Sequence, residues 1–210
     1  PIGFQGWAFN MRQELFNDLN VRKALAHCLN RRMMNEKMMY NQYFLHKSYF
    51  EDLYDNNNKC TNQLIEFDKN EARKLLAAAG WKVNKAGKLE KNGKLFSFEF
   101  LERDKSTEKF VNVFAEDLKD LGIDVKITLV DFAEWAKRMD EFKFDMTWAS
   151  WSASLFKDPE GMWHSKEAER LQGNNITGFK NQEVDKLIDQ LRTEFNISKR
   201  NQIIRKIDAL

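Results

Sequence analysis

The chain has 210 residues, with 34 basic and 32 acidic side chains and a formal net charge of +2, a near balance that removes the electrostatic footprint of a dedicated nucleic-acid binder. Apolar residues make up 42% and aromatics 13%, which supports a packed core and argues against disorder. No apolar run reaches the roughly 18 residues of a membrane-crossing helix, and no signal peptide stands at Pro1. The first residues, Pro1-Ile2-Gly3-Phe4, lack a Met, and the last, Asp208-Ala209-Leu210, fall inside a helical pattern. The chain is therefore expected to be a segment of a longer protein.

Gly6 to Asn10 reads as a short buried strand. Asp18 is placed to cap a helix whose apolar stripe is Val21, Leu25, Cys28 and Leu29, and a second helix is expected from about Asn30 to Tyr40. Residues 41–68 are irregular, aromatic at first and then Asn-rich, and are expected to wrap over a surface. A compact helix from Asn70 to Ala79 carries Ala72, Leu75, Leu76 and Ala79 on one face, and Gly80 stops it. Trp81 to Lys94 reads as a small hairpin with turns at Lys85-Ala86-Gly87 and Lys91-Asn92-Gly93.

The centre is more regular. Phe96, Phe98 and Phe100 alternate as a strand. A helix from about Ser106 to Leu121 presents Phe110, Phe114, Leu118 and Leu121, and Ile123 to Leu129 alternates as a second strand. Asp131 with Glu134 starts a further helix bearing Phe132, Trp135, Ala136 and Met139. Phe144, Met146 and Trp148 form a third strand. Strand–helix–strand–helix–strand with short connections implies parallel pairing. Residues 150–181 hold few periodic signals, and so long an irregular connection is more often functional than idle. Two last helices are expected, capped by Asn181 and by Ser198.

Asn10, Phe16-x-Asp18, Val21-Arg22-x-Ala24-Leu25 and Asn30-Arg31 together resemble the second lobe of family 5 extracellular solute-binding proteins, the capture proteins of peptide-importing ABC transporters. Four further segments are similar to that family in the expected order. They are Asp68 to Trp81, Phe114 to Val125, Phe142-Lys143-Phe144-Asp145-Met146, and Thr177 to Ile188. The match runs over residues 6–200 but covers one lobe of two. The resemblance implies an α/β fold with a mixed, largely parallel sheet and flanking helices, a periplasmic-binding-protein-like lobe of type II. Residues 1–210 would be the C-terminal ligand-binding lobe. The implied function is non-catalytic capture of a peptide-like solute between lobes and delivery to an ABC permease, in the periplasm or tethered at the cell surface, by a monomer that needs no cofactor and binds no nucleic acid.

By the same resemblance, the third strand and its exit face the cleft. Met146, Trp148, Ser150, Trp151, Ser152 and Ser154 are the implied ligand-binding residues, the Trp rings for stacking and the Ser hydroxyls for hydrogen bonds. Three residues apart on a strand, Trp148 and Trp151 face opposite sides, so at most one would point at ligand. There is one departure. Members that bind peptides carry a carboxylate for the ligand's amino terminus shortly before an Asp-Pro; here Asp158-Pro159 is present, but Ser154 or Leu155 stands where the acid is expected.

Other candidates have plainer readings. Met33, Met34, Met38 and Met39 suit a core more than a soft metal. Cys28 reads as a buried thiol and Cys60 as a loop thiol, and spacing does not fix a disulfide. Arg31-Arg32 is either an anion site or a bridged helix face. His164 lacks an evident catalytic partner. Asp145 and Asp185 are expected to fix structure. No G-x-S-x-G, phosphate loop or G-x-G-x-x-G occurs, which counts against an enzyme. The remaining alternative is an interaction or sensor domain on the same fold, favoured if the aromatics from Tyr40 to Tyr54 stand uncovered.

Overall fold

In a computed structural model, residues 3–152, 154 and 156–210 are described. The main sheet has four strands. β1 (Phe4–Phe9) leads to α1 (Leu19–His27), whose first turn is capped by the Asp18 carboxylate accepting from Asn20 N at 2.8 Å. α2 (Arg31–Met33) then widens into a π turn over Met34–Met38. α3 (Lys69–Ala78) is capped by Asp68, and a three-stranded antiparallel meander follows: β2 (Lys82–Val83), β3 (Leu89–Lys91) and β4 (Lys94–Leu95). Next come β5 (Ser97–Glu102), α4 (Glu108–Lys119), β6 (Asp124–Leu129), α5 (Phe132–Asp140) and β7 (Met146–Trp151). The chain closes with α6 (Glu160–Trp163), α7 (Gln182–Leu191) and α8 (Ile197–Asp208).

Strand order is β1-β7-β5-β6, with β5 parallel to both β6 and β7 and β1 antiparallel to β7. The expected mixed, largely parallel sheet is therefore present. One face carries Phe98, Phe100 and Met146 against Val21 and Leu25 of α1, Leu76 of α3 and Phe114 of α4, and this is the main core. The other face buries Leu101 with Phe144 and Met139 of α5. There the Trp135 indole donates to Thr147 Oγ1 at 3.0 Å, and that hydroxyl donates to Leu101 O at 2.8 Å. A third cluster joins α7 and α8 through Val184, Ile188, Ile204 and Ile207, closed by Phe50 from the irregular 41–68 segment.

Three expectations change in detail. The 81–94 region has three strands, because both of its turns reverse the chain. The last strand begins at Met146, not Phe144, and runs to Trp151. The last helix is capped by Asn196, whose Oδ1 accepts from Lys199 N at 3.1 Å, and Ser198 lies inside it. Cys28 is buried and, like Cys60, free; burial pushes the Cys28 thiol up to about 12. No helix among the described residues is long and apolar enough to cross a membrane.

Gly122 ties the meander to the sheet. It sits at φ +81°, and a Cβ there would lie 2.5 Å from Gly87 O and 2.7 Å from Leu89 N. Gly122→Ala is expected to cost about 2 to 4 kcal/mol, since left-handed strain and a clash with backbone add. Urea unfolding checks this; a loss below about 0.5 kcal/mol would show that the meander shifts freely.

Candidate functional site

β7 is held along its whole length on one side and only partly on the other. Against β1 it pairs from Phe4↔Trp151 to Phe9↔Met146. Against β5 it pairs only at Phe100↔Met146 and Leu101↔Thr147. Trp148 to Trp151 therefore present one unpaired backbone edge among the described residues. β5 ends at Glu102, whose carbonyl is taken by Val130 N at 2.9 Å, so the chain turns away and leaves that edge open.

Two cavities adjoin this overhang. The larger, of about 1000 Å³, runs between β1/β7 and the α2–π turn segment with the loop at 42–49. Its inner wall is Phe9, Leu25, Leu29, Met34, Phe110, Phe114 and Met146. Its rim holds Trp148, Trp151, Ser150, Ser152, Tyr43 and Phe44. The smaller, of about 600 Å³, lies beyond Trp151 and is lined by Tyr49, Phe50, Asp52, Ser152, Ser154, Phe156, Lys157 and Met162.

Each residue predicted for the site has a place here. Met146 is buried and contributes to the inner wall. Trp148 is half-buried, edge-on to Trp7 at 6.0 Å and near Phe110 at 6.1 Å. Trp151 is also half-buried, packed on Phe4 at 5.5 Å and Tyr49 at 6.0 Å. Ser150 and Ser152 are exposed at the rim of the larger cavity, and Ser154 lines the smaller one. Of the two residues expected at the carboxylate position, Ser154 or Leu155, Leu155 lies outside the described residues. Although Trp148 and Trp151, three apart on β7, belong to opposite faces, both border the larger cavity.

Sequence reasoning did not find the opposite wall. Met34, Met39 and Phe110 carry helical spacing and read as core, and only their position against β7 places them on a cavity. The 40–54 aromatics divide: Tyr40, Tyr43 and Phe44 are exposed, and Tyr49, Phe50 and Tyr54 are covered. Phe50 is buried, the Tyr54 hydroxyl donates to Asp208 at 2.7 Å, and Tyr49 donates to Met162 Sδ at 3.0 Å. Burial pushes the Tyr49 hydroxyl up to about 12, so it stays neutral. No cluster of His, Cys, Asp and Glu among the described residues could hold a metal, and Met33, Met34, Met38 and Met39 pack on the main core.

The connection after β7 is pinned by charge. Glu160 pairs with Arg192 at 2.9 Å and with Lys166, and these partners hold its carboxyl down at about 2. A carboxyl depressed in the folded state stabilises fully above its ordinary value near 4.5, and that stabilisation is lost as pH falls toward 2. Glu160→Gln is expected to lose about 1 kcal/mol at neutral pH, since the pair is partly solvated, and to flatten the acid limb in that window. Acid-unfolding curves that run parallel for the two proteins would sink the idea. Asp185 Oδ1 accepts from Ser165 N at 2.8 Å, and His164 Nδ1 accepts from Lys166 N at 3.2 Å, so both serve local structure.

The profile of bacterial extracellular solute-binding proteins, family 5, middle region, matches residues 1–170. The chain belongs to that family. It is 30% identical over 213 residues to the oligopeptide-binding protein AppA of Bacillus subtilis, covering 98% of this chain and 38% of that protein. The structure of that AppA in complex with a nonapeptide superposes with a TM-score of 0.90 at 27% identity, over 99% of this chain and 42% of that one. The oligopeptide-binding protein of Thermus thermophilus complexed with a pentapeptide gives 0.82 at 26% identity, over 98% and 39%. The chain thus spans about two fifths of the relatives it matches. Its fold is that of a type II periplasmic binding protein, and its family is one of extracellular solute binders.

Proposed function

We propose that residues 1–210 are the second, C-terminal lobe of a two-lobed solute-binding protein. It captures a peptide-like solute in the interlobe cleft without covalent chemistry and hands it to an ABC permease, in the periplasm or tethered at the cell surface. One observation carries the reading: the unpaired edge of β7 at Trp148 to Trp151, set beside an apolar cavity. An extended peptide on such an edge gains main-chain hydrogen bonds whatever its sequence, while pockets on either side sort its alternate side chains. Met146, Trp148, Ser150, Trp151, Ser152 and Ser154 are the lobe's share of the site. The peptide-bound state of two relatives supports the ligand class.

The test is native purification of the full-length protein, denaturation and mass spectrometry of what is released. A defined set of peptides that raises Tm on re-addition is the expected result. No released solute, with no thermal shift across peptides, sugars and metals, would overturn the reading.

A further inference from the structure

The larger cavity is apolar inside and charged with one sign at its rim. Arg31 and Lys47 line it, and no carboxylate among the described residues does. The acids nearby lie outside its lining. Glu66 is held by Arg32 through two contacts of 2.7 and 2.5 Å. Glu51 Oε2 accepts from the backbone of Lys47 and Ser48 at 2.8 and 3.0 Å, and Asp52 pairs with Lys157 at 2.6 Å. Both belong to the smaller cavity, as does Asp158. Glu102, one position past the last β5–β7 rung and so beside Trp148, is only 1% exposed. Its Oε1 accepts from Arg103 N and Asp104 N, its buried Oε2 has no partner among the described residues, and it does not line the larger cavity.

Arg31 is thereby left with one hydrogen bond, from Nη1 to His46 O at 3.2 Å, and no ion pair among the described residues. Lys47 likewise forms no ion pair among them. Arg31 is half-buried, and burial pulls its pKa below the ordinary value against the raising effect of Glu66. A guanidinium offers five donors, and one poorly solvated but largely unpaired is a costly arrangement unless an anion arrives.

We propose that Arg31 and Lys47 together hold a carboxylate of the cargo, so that this lobe selects peptides by an acid group alongside a bulky apolar side chain. The carboxylate is the peptide's C-terminus or an acidic side chain. The apolar partner enters between Leu29, Met34, Met39 and Phe110. This inference rests on the peptide-capture reading. A bidentate guanidinium–carboxylate pair at the edge of an apolar cavity is both stronger and more directional than the same pair in water.

The experiment is calorimetry on the full-length protein with alternating Ala/Phe pentapeptides and nonapeptides, the lengths carried by the two peptide-bound relatives. Each is made as free acid, as C-terminal amide, as amide with one internal Ala replaced by Glu, and as N-acetyl acid. The expected result is at least about tenfold weaker binding of the amide than of the free acid, or of the Glu-containing amide. The first contrast identifies a terminal carboxylate and the second a side-chain one. Arg31→Gln and Lys47→Gln should each shrink that contrast; Lys47→Gln leaves the backbone bonds to Glu51 intact and so serves if Arg31→Gln unfolds the loop. Equal binding of acid and both amides overturns the inference, as does a contrast that survives both variants, or binding abolished by acetylation and indifferent to amidation. Failure of every peptide to bind at all takes down the capture reading itself.

Discussion

Arg12→Met is expected to lower the unfolding free energy by about 3 kcal/mol. The Arg12 guanidinium donates to Ala168 O through Nε at 3.0 Å and again through Nη2. It also reaches Asn175 O at 2.8 Å, Ile176 O at 3.0 Å and Asn10 Oδ1 at 3.1 Å. It lies 3.5 Å from the centroid of the Phe142 ring, and Phe142 itself holds φ +55°, a costly value for a residue with a Cβ. Asn10, fully buried, secures the same turn by donating to Phe142 O at 2.9 Å and Phe144 O at 2.8 Å. Arg12 and Asn10 thus bind the end of β1, the entry to β7 and the 168–176 segment as one unit. Met keeps the stem packed on Phe142 and removes every donor, so the carbonyls are left without partners. Arg12→Lys should fall between, because one ammonium cannot reproduce a planar fork. Urea titration of both variants decides it; a shift below about 0.5 kcal/mol for Met would mean that water replaces the guanidinium freely. Gly178 belongs to the same arrangement, since a Cβ there would lie 2.8 Å from Arg12 Cγ.

Trp148→Ala is expected to weaken peptide binding by about 30- to 100-fold, the loss of about 2 to 3 kcal/mol typical of an aromatic anchor at the centre of a contact. Trp148 is half-buried at the meeting of the open β7 edge and the apolar cavity, so truncation removes a wall of the groove and widens it toward Phe110. Trp148→Phe keeps an aromatic face and should cost about threefold. Because Trp148 also packs on Trp7, Trp148→Ala will lower Tm as well, and binding must be measured well below the variant's own transition. A lower Tm with unchanged peptide affinity would reduce Trp148 to a core residue and move the contact to Trp151.

The relation of sequence to fold differs between elements. Helix caps are local, and Asp18, Asp131 and Asn181 each accept from the backbone of the first turn as their positions predict, while Asp68 is a cap that the sequence reading did not name. Asn196 displaced Ser198 as the last cap because both are competent residues two apart, and only packing of Ile204 and Ile207 against α7 sets the helix phase. Met146 and Trp148 were legible as strand residues by alternation. Their partners were not, because register is a long-range choice: β1 lies 137 or more positions from β7 in sequence (146 − 9), yet forms its full-length neighbour.

The sequence by itself determined the strand–helix alternation, most caps, the parallel central pairing and the family, because periodicity and short motifs are properties of neighbouring residues. Only the tertiary structure decided that β5 sits between β6 and β7 and stops short of the end of β7. It alone leaves an open backbone edge, brings Trp148 and Trp151 to one cavity, and sets Arg31 in that cavity's lining with no ion pair among the described residues. Those features depend on where segments far apart in the chain come to rest, and no local pattern of residue types encodes an edge left unpaired or a charge left unmatched.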